Sequence, residues 1–254
     1  MPAEHRTGEI EQVTLRERRK LYSLLDVHGG STWWAPRAIG WWVGILFSIG
    51  AILFALGSAP DYFNSVGTRA DALTYFLGSI FFTSAAAAQY LQAVNAFEGA
   101  PGAGTRQRFR VFAWKPRDLA WLSSLVQLAG TVYFNFSTFR AIRSYMFAAR
   151  ADSLVWKPDI LGSVCFLVAS GLAYREFTVS RRSRSQRGVS WWIVALNLAG
   201  SVGFGLSAIA AYVVPTTGQD LYKTLVNLGT FAGALCFLCA AILLLPERTK
   251  EHLY

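Results

Sequence analysis

Charged residues avoid six long stretches of this 254-residue chain, and that distribution constrains the fold more than any single motif. Each stretch has 15 or more residues without Asp, Glu, Lys or Arg, and nearly every charge lies between the stretches or at the ends. Only 15% of the residues are charged, against about 25% in soluble globular proteins. A soluble helical bundle would carry charges along one face of each helix. The sequence therefore predicts a membrane protein.

The charge-free stretches predict an all-α membrane protein with six transmembrane helices, because a bilayer core needs roughly 20 apolar residues per helix. The predicted spans are 39–59, 72–92, 119–139, 160–174 with a few flanking residues, 190–213 and 224–245. The fourth is the shortest, since Arg175 and Glu176 end its apolar run. Residues 1–38 form an N-terminal segment, with a short amphipathic helix predicted over 14–27, and residues 246–254 form a short tail.

The Lys and Arg residues predict how the chain is oriented. Of the 24 cations, 18 fall on one side of the predicted spans and 6 on the other. The positive-inside tendency then places both termini and the loops 93–118 and 175–189 in the cytoplasm. The net charge of +9 is therefore an orientation signal, and we expect no nucleic-acid partner. Arg outnumbers Lys 19 to 5, as in GC-rich bacteria, and we expect a multi-pass protein of the bacterial inner membrane.

Two glycine patterns each occur three times and predict three tandem two-helix hairpins, at 39–92, 119–178 and 190–245. In the first helix of each hairpin the pattern is W-x8-G-x3-F: Trp41, Gly50, Phe54; Trp121, Gly130, Phe134; Trp191, Gly200, Phe204. In the second helix it is Gly-small-x-x-Phe: Gly78, Ser79, Phe82; Gly162, Ser163, Phe166; Gly233, Ala234, Phe237. A glycine and a phenylalanine four residues later share one helix face. The pattern therefore predicts points of close backbone contact, each covered by a ring.

Polar residues within the predicted spans have two interpretations. They are Gln127, Asn197, Asn135 and Asn227, besides Gln89. Gln127 and Asn197 each precede a repeat glycine by three residues, which would suit a polar spot that binds a substrate. Hydrogen bonds between helices that fix their packing are the other interpretation, and the one we favour.

Catalytic and cofactor-binding patterns do not stand out in this sequence. The predicted cores contain no ionisable residue, which argues against a pump or proton-coupled carrier. Cys236 and Cys239 are spaced as C-x-x-C, but they lie inside a predicted span, where we expect simple packing. The histidines lie near the ends and suggest no metal site. We expect a protein that is not an enzyme and has no cofactor.

Basic segments on the predicted cytoplasmic side indicate a lipid partner. Arg181, Arg182, Arg184 and Arg187 form one cluster, and anionic headgroups would attract it. Docking of an acidic partner or a phosphorylation switch is the alternative. Residues 115–118 and 157–159 both combine Lys, Pro and Asp, and we expect both to precede a helix start.

The phrases at 77–82 (LGSIFF) and 161–167 (LGSVCFL), with residues 45–54, resemble the helix hairpin of small bacterial YrhK-like membrane proteins. The resemblance covers single hairpins, and it implies an architecture without a mechanism. Two functions remain open. The favoured one is an accessory or scaffold subunit of a larger bacterial envelope assembly, such as one handling lipids, which would bind another membrane protein. The alternative is a small transporter or channel with a path between the hairpins.

Overall fold

The computed structural model describes residues 33–36, 38–96, 109–144, 151–180, 188–214 and 219–245. The predicted helix at 14–27, the arginine cluster at 181–187 and the tail at 246–254 lie outside the described residues. The helices are α1 (Ile39–Ser58), α2 (Tyr62–Val66), α3 (Thr68–Val94), α4 (Leu119–Ser144), α5 (Ala151–Ser180), α6 (Val189–Ala210) and α7 (Lys223–Leu244). Two strands of two residues each, β1 (Val213–Val214) and β2 (Gln219–Asp220), pair antiparallel between α6 and α7.

Four of these helices are long and apolar enough to cross a membrane: α1, residues 154–179 of α5, α6 and α7. The protein is therefore helical and membrane-embedded, as the sequence predicts. Helices α3 and α4 are long enough but less apolar, since Ser, Thr, Gln and Asn interrupt their aliphatic residues.

The long helices form a closed ring. Within hairpins, α1 packs on α3, α4 on α5, and α6 on α7. Between hairpins, α3 packs on α4, α5 on α6, and α7 returns to α1. The last residues of α1, α4 and α6 lie at one end of this ring, which we call the turn end. The helices α1, α4 and α6 begin at the opposite end, which we call the entry end.

The helix that contains the fourth predicted span is longer than the apolar run itself. Helix α5 begins at Ala151 and continues past Arg175 and Glu176 to Ser180. The charged residues did not end it, because a helix can leave the apolar layer while its backbone hydrogen bonds continue. Helix α4 likewise extends to Ser144, so much of the predicted loop before span four is helical.

The two Lys-Pro-Asp segments behave differently. Asp118 caps α4, where its Oδ1 accepts hydrogen bonds from the backbone N–H groups of Ala120 (3.0 Å) and Trp121 (3.1 Å). Pro158 instead lies inside α5, so the expectation that this segment precedes a helix start is wrong. The consequence is that Asp159 belongs to a helix long and apolar enough to cross a membrane. The predicted charge-free core of this span, residues 160–174, begins one residue after Asp159.

Candidate functional site

Six phenylalanines fill the centre of the helix ring, one from each long helix. They are Phe54, Phe82, Phe134, Phe166, Phe204 and Phe237, and each is at most 5% exposed. We call this set the phenylalanine core. Rings from the same hairpin have centroids 5.1–5.2 Å apart. These distances suit favourable tilted and edge-on aromatic contacts.

The phenylalanine core has the shape of a triangular prism. The three rings from α1, α4 and α6 form one triangle, with centroids 5.5, 5.9 and 6.3 Å apart. The three rings from α3, α5 and α7 form the second triangle, with centroids 5.7, 6.2 and 6.4 Å apart. Each hairpin contributes one ring to each triangle, so the three hairpins contribute in the same way.

The glycines of each hairpin bring its two backbones together beside the phenylalanine core. A Cβ atom on Gly50 would lie 3.1 Å from the Gly78 carbonyl oxygen, and one on Gly130 would lie 3.1 Å from that of Gly162. In the third hairpin, a Cβ on Gly200 would lie 2.9 Å from the Gly233 carbonyl oxygen. Real Cβ atoms rarely approach that closely, so a side chain at any of these positions would force its neighbours to shift.

The ring that covers each glycine comes from the opposite helix. A Cβ on Gly78 would meet Phe54 at 2.8 Å, and one on Gly50 would meet Phe82 at 3.0 Å. The exchange recurs between Gly130 and Phe166, Gly162 and Phe134, Gly200 and Phe237, and Gly233 and Phe204. Because the glycine and the phenylalanine of one helix are four residues apart, the ring of each helix covers the glycine of the other helix.

Hydroxyl groups join neighbouring hairpins around the phenylalanine core. Ser79 of α3 and Thr138 of α4 share a hydrogen bond of 2.9 Å, and both side chains are buried. Ser170 of α5 and Ser201 of α6 are joined at 2.6 Å. Such bonds stabilise helix packing in lipid by about 0.6–2 kcal/mol each.

The structure does not bring the predicted polar residues together. The Asn135 side chain donates to Thr83 Oγ1 on α3 (2.8 Å), and that of Asn197 donates to the Ile193 carbonyl of its own helix (2.9 Å). Gln127 is half-buried and Asn227 is exposed. All four belong to the part of the chain that the structure describes, and no hydrogen bond joins any two of their side chains.

A polar cluster that the sequence analysis missed lies between the phenylalanine core and the turn end. It consists of Ser58, Asp71, Tyr75 and Asp159, whose polar groups lie close enough to the Tyr75 phenol to interact with it electrostatically. Tyr75 also packs edge-on against Phe54, with centroids 5.5 Å apart. Asp71 Oδ1 is buried and has no hydrogen-bond partner among the described residues.

A sequence signal for this cluster was present. Tyr75 and Asp159 each precede the second-helix glycine of their hairpin by three residues, and Thr230 does so in the third hairpin. The three therefore occupy corresponding positions relative to that glycine. Cutting the spans at charged residues hid the pattern, since it left Asp71 and Asp159 just outside the predicted spans.

The cysteines lie in packing environments. Cys165 and Cys236 are half-buried, Cys239 is exposed, and none of them forms a disulfide. The Cβ of Cys165 lies close to Gly130, where a Cβ on that glycine would be 2.9 Å away. Among the described residues, no group of three or more His, Cys, Asp or Glu side chains could hold a metal ion.

Comparisons with known proteins give no relative. No family model matches the chain, and no curated protein or solved structure matches it. Function therefore has to be inferred from the residues and their geometry.

Proposed function

We propose that this chain is a non-enzymatic integral membrane subunit that scaffolds a larger bacterial envelope assembly. Its six long helices would cross the inner membrane as three equivalent hairpins, with both termini in the cytoplasm. The observation that carries the proposal is the phenylalanine core, because six buried rings occupy the place where a central path would run.

The packing around the phenylalanine core supports a static role. In each hairpin, two glycines place the backbones against each other, and adding a single methyl group would force a clash. Packed interiors of this kind resist gradual deformation, since side chains interdigitate with few voids. A protein built this way is suited to holding a fixed shape within the bilayer.

Closure of the ring supports six spans, including the less apolar α3 and α4. Helix α3 packs between α1 and α4, and α4 packs between α3 and α5. The polar groups Thr83, Asn135 and Thr138 of these helices bond to each other or to helix backbone. These donors are satisfied within the ring, and among the atoms of these three side chains only the Asn135 amide oxygen is buried without a hydrogen-bond partner in the described residues. The polar groups of α3 and α4 are therefore largely compatible with crossing a bilayer.

The outer surface of the ring offers large apolar side chains for contact with lipid or another membrane protein. Small residues face inward, so the bulky aliphatic residues face outward. They include Ile52 and Leu56 on α1, Leu77 and Ile80 on α3, Leu161, Val164 and Val168 on α5, and Leu206 and Ile209 on α6. A scaffold would use part of this surface to bind its partner.

Purification from native membranes tests the scaffold function. With a tag on this chain and extraction into lipid nanodiscs, we expect a second membrane protein at a fixed molar ratio, identified by mass spectrometry. A tagged, unrelated six-helix protein expressed at the same level is the control, and it should not recover that partner. Recovery of this chain alone, as a stable particle from its native host, would contradict the proposal.

A transporter is the second candidate, and the polar cluster at the turn end favours it. Asp71 and Asp159 lie near Tyr75, whose ring contacts that of Phe54 in the phenylalanine core. Carboxyl groups within membrane helices commonly serve ion or proton pathways. The path itself would need the phenylalanine core to open, since its rings close the centre. The purification distinguishes the two, because a transporter that works alone would be recovered alone.

A further inference from the structure

The segment before α4 carries the largest exposed aromatic surface among the described residues between two long helices. Phe109 is 67% exposed, Phe112 83% and Trp114 81%. Fully burying side chains of this size is worth about 1.5–3 kcal/mol each, so leaving three in water would be unfavourable. Some other component is therefore expected to cover them.

The segment is fixed against the helix ring. Asn95, just after α3, accepts a hydrogen bond from the Arg110 backbone N–H (2.7 Å) and donates one to the Arg110 carbonyl (2.7 Å). Ala113 packs into the cluster around Trp121, and the Trp114 ring lies edge-on to Trp121 with centroids 5.6 Å apart. These contacts hold the exposed rings at the entry end of α4.

The same arrangement precedes α1. Trp34 is 67% exposed and lies edge-on to Trp41, with centroids 5.2 Å apart. Both pairs belong to one sequence pattern, W-x-P-R-x3-W, at residues 34–41 and 114–121. In each pair the second tryptophan is buried in the ring and the first stands outside it. Trp41 and Trp121 are therefore packing residues of the ring.

The positive charges beside the exposed rings favour contact with an anionic surface. Arg110 and Arg117 are exposed, and Lys115 lies between them in sequence. Asp118 follows these cations in sequence. Its carboxylate accepts hydrogen bonds from backbone N–H groups at the start of α4. Aromatic rings flanked by cations at the end of a membrane helix match the headgroup layer, where rings and phosphates lie at one depth.

We propose that residues 109–117 form an interfacial strap that inserts Phe112 and Trp114 into the headgroup layer and binds anionic lipid phosphate through Arg110 and Arg117. The proposal rests on the six-helix embedding proposed above, and it is independent of the scaffold role. It assigns a lipid-binding site to a segment outside the arginine cluster at 181–187.

Depth measurements on the full chain test the insertion. Cys165, Cys236 and Cys239 are first replaced by Ala, and a nitroxide label is attached to the cysteine of Phe112→Cys in this background. The labelled protein is reconstituted in vesicles of phosphatidylcholine and phosphatidylglycerol. We expect a label at headgroup depth, intermediate between a lipid-facing label at Val132→Cys and a turn-end label at Phe63→Cys. If Phe112→Cys does not fold, Val111→Cys, also exposed, takes its place.

Each other result overturns the strap. A water-accessible label at Val132 would contradict the six-helix embedding and the strap with it. A lipid-accessible Val132 label with a fully water-accessible Phe112 label would overturn the strap alone. A Phe112 label shielded from both oxygen and a water-soluble quencher would mean that protein, for example a second copy, covers the rings.

Lipid selectivity tests the phosphate contact. The association of spin-labelled phosphatidylglycerol relative to phosphatidylcholine should fall by about fivefold or more in Arg110→Gln/Arg117→Gln, since each cation near anionic lipid is worth about 1 kcal/mol. Arg69→Gln, an exposed cation at the turn end, is the matched control and should leave the ratio near wild type. Equal ratios in all three proteins would overturn the phosphate contact.

Discussion

Phe82→Ala should strongly destabilise the folded chain, and more so than Gly233→Ala. Phe82 is fully buried, and its ring contacts those of Phe47, Phe54, Phe166 and Phe237. Removing such a ring leaves a cavity that rigid neighbours cannot fill, at a cost of about 3–5 kcal/mol. For a chain of this size we expect the unfolding midpoint temperature in detergent to fall by about 6–20 °C.

Phe136→Ala is the matched control for that experiment. Phe136 belongs to α4 and is 55% exposed on the outer face of the ring. Because its surroundings are apolar detergent or lipid, losing this ring should change the midpoint by only a few degrees. Equal effects at the two positions would contradict the placement of Phe82 at the centre of the ring.

Gly233→Ala should also lower the stability substantially, although it adds one methyl group. That methyl would lie 2.5 Å from Phe204 Cδ1 and 2.8 Å from the Gly200 carbonyl oxygen. The backbone oxygen cannot move without shifting α6, so we expect a cost of about 1–3 kcal/mol, typical of overpacked cores. The midpoint temperature should fall by about 2–12 °C.

Gly171→Ala provides the control for Gly233→Ala, since it makes the same change in another long helix. A Cβ on Gly171 of α5 would meet nothing within 4 Å. Alanine is the better helix former by about 1 kcal/mol, so this variant should be as stable as the wild type or slightly more stable. A similar loss at both glycines would contradict this account, because the cost at Gly233 could then not be attributed to its contact with the opposite backbone.

The sequence predicted where the helices lie but not their full lengths. Charge-free stretches located all six long helices, because charges mark where a helix leaves the apolar layer. They could not show where the helical backbone ends. Helix α5, for example, continues through Pro158 and Arg175 without breaking. The bound at Arg175 marked a change of surroundings rather than the end of a helix.

The sequence also predicted the contacts of the glycines better than it predicted the arrangement of the three hairpins around those contacts. Spacing placed Gly50 and Phe54 on one face, and the structure has them meeting Gly78 and Phe82 across the hairpin. The spacing of residues within a helix does not determine how three hairpins are oriented about a common axis. That six phenylalanine rings meet at the centre is therefore visible only in the three-dimensional structure.

The polar cluster was missed for a related reason. Asp71 and Asp159 lie one residue before the predicted spans, so each was counted as a loop charge. Only the helix bounds and the neighbourhood of Tyr75 reveal that the two carboxyl groups belong to one cluster.

Closure of the ring between α1 and α7 can be tested by a cross-link between helices that are far apart in the chain. A Cβ on Gly44 would lie 3.5 Å from the Leu244 Cβ, which is within the range of a disulfide. In a background with the three native cysteines replaced by Ala, Gly44→Cys/Leu244→Cys should form an intramolecular disulfide on mild oxidation. Gly44→Cys/Ile242→Cys should not, since Ile242 is 40% exposed on the outer face of α7. Absence of the 44–244 link, equal linking of both pairs, or linking only between copies would contradict the closed ring.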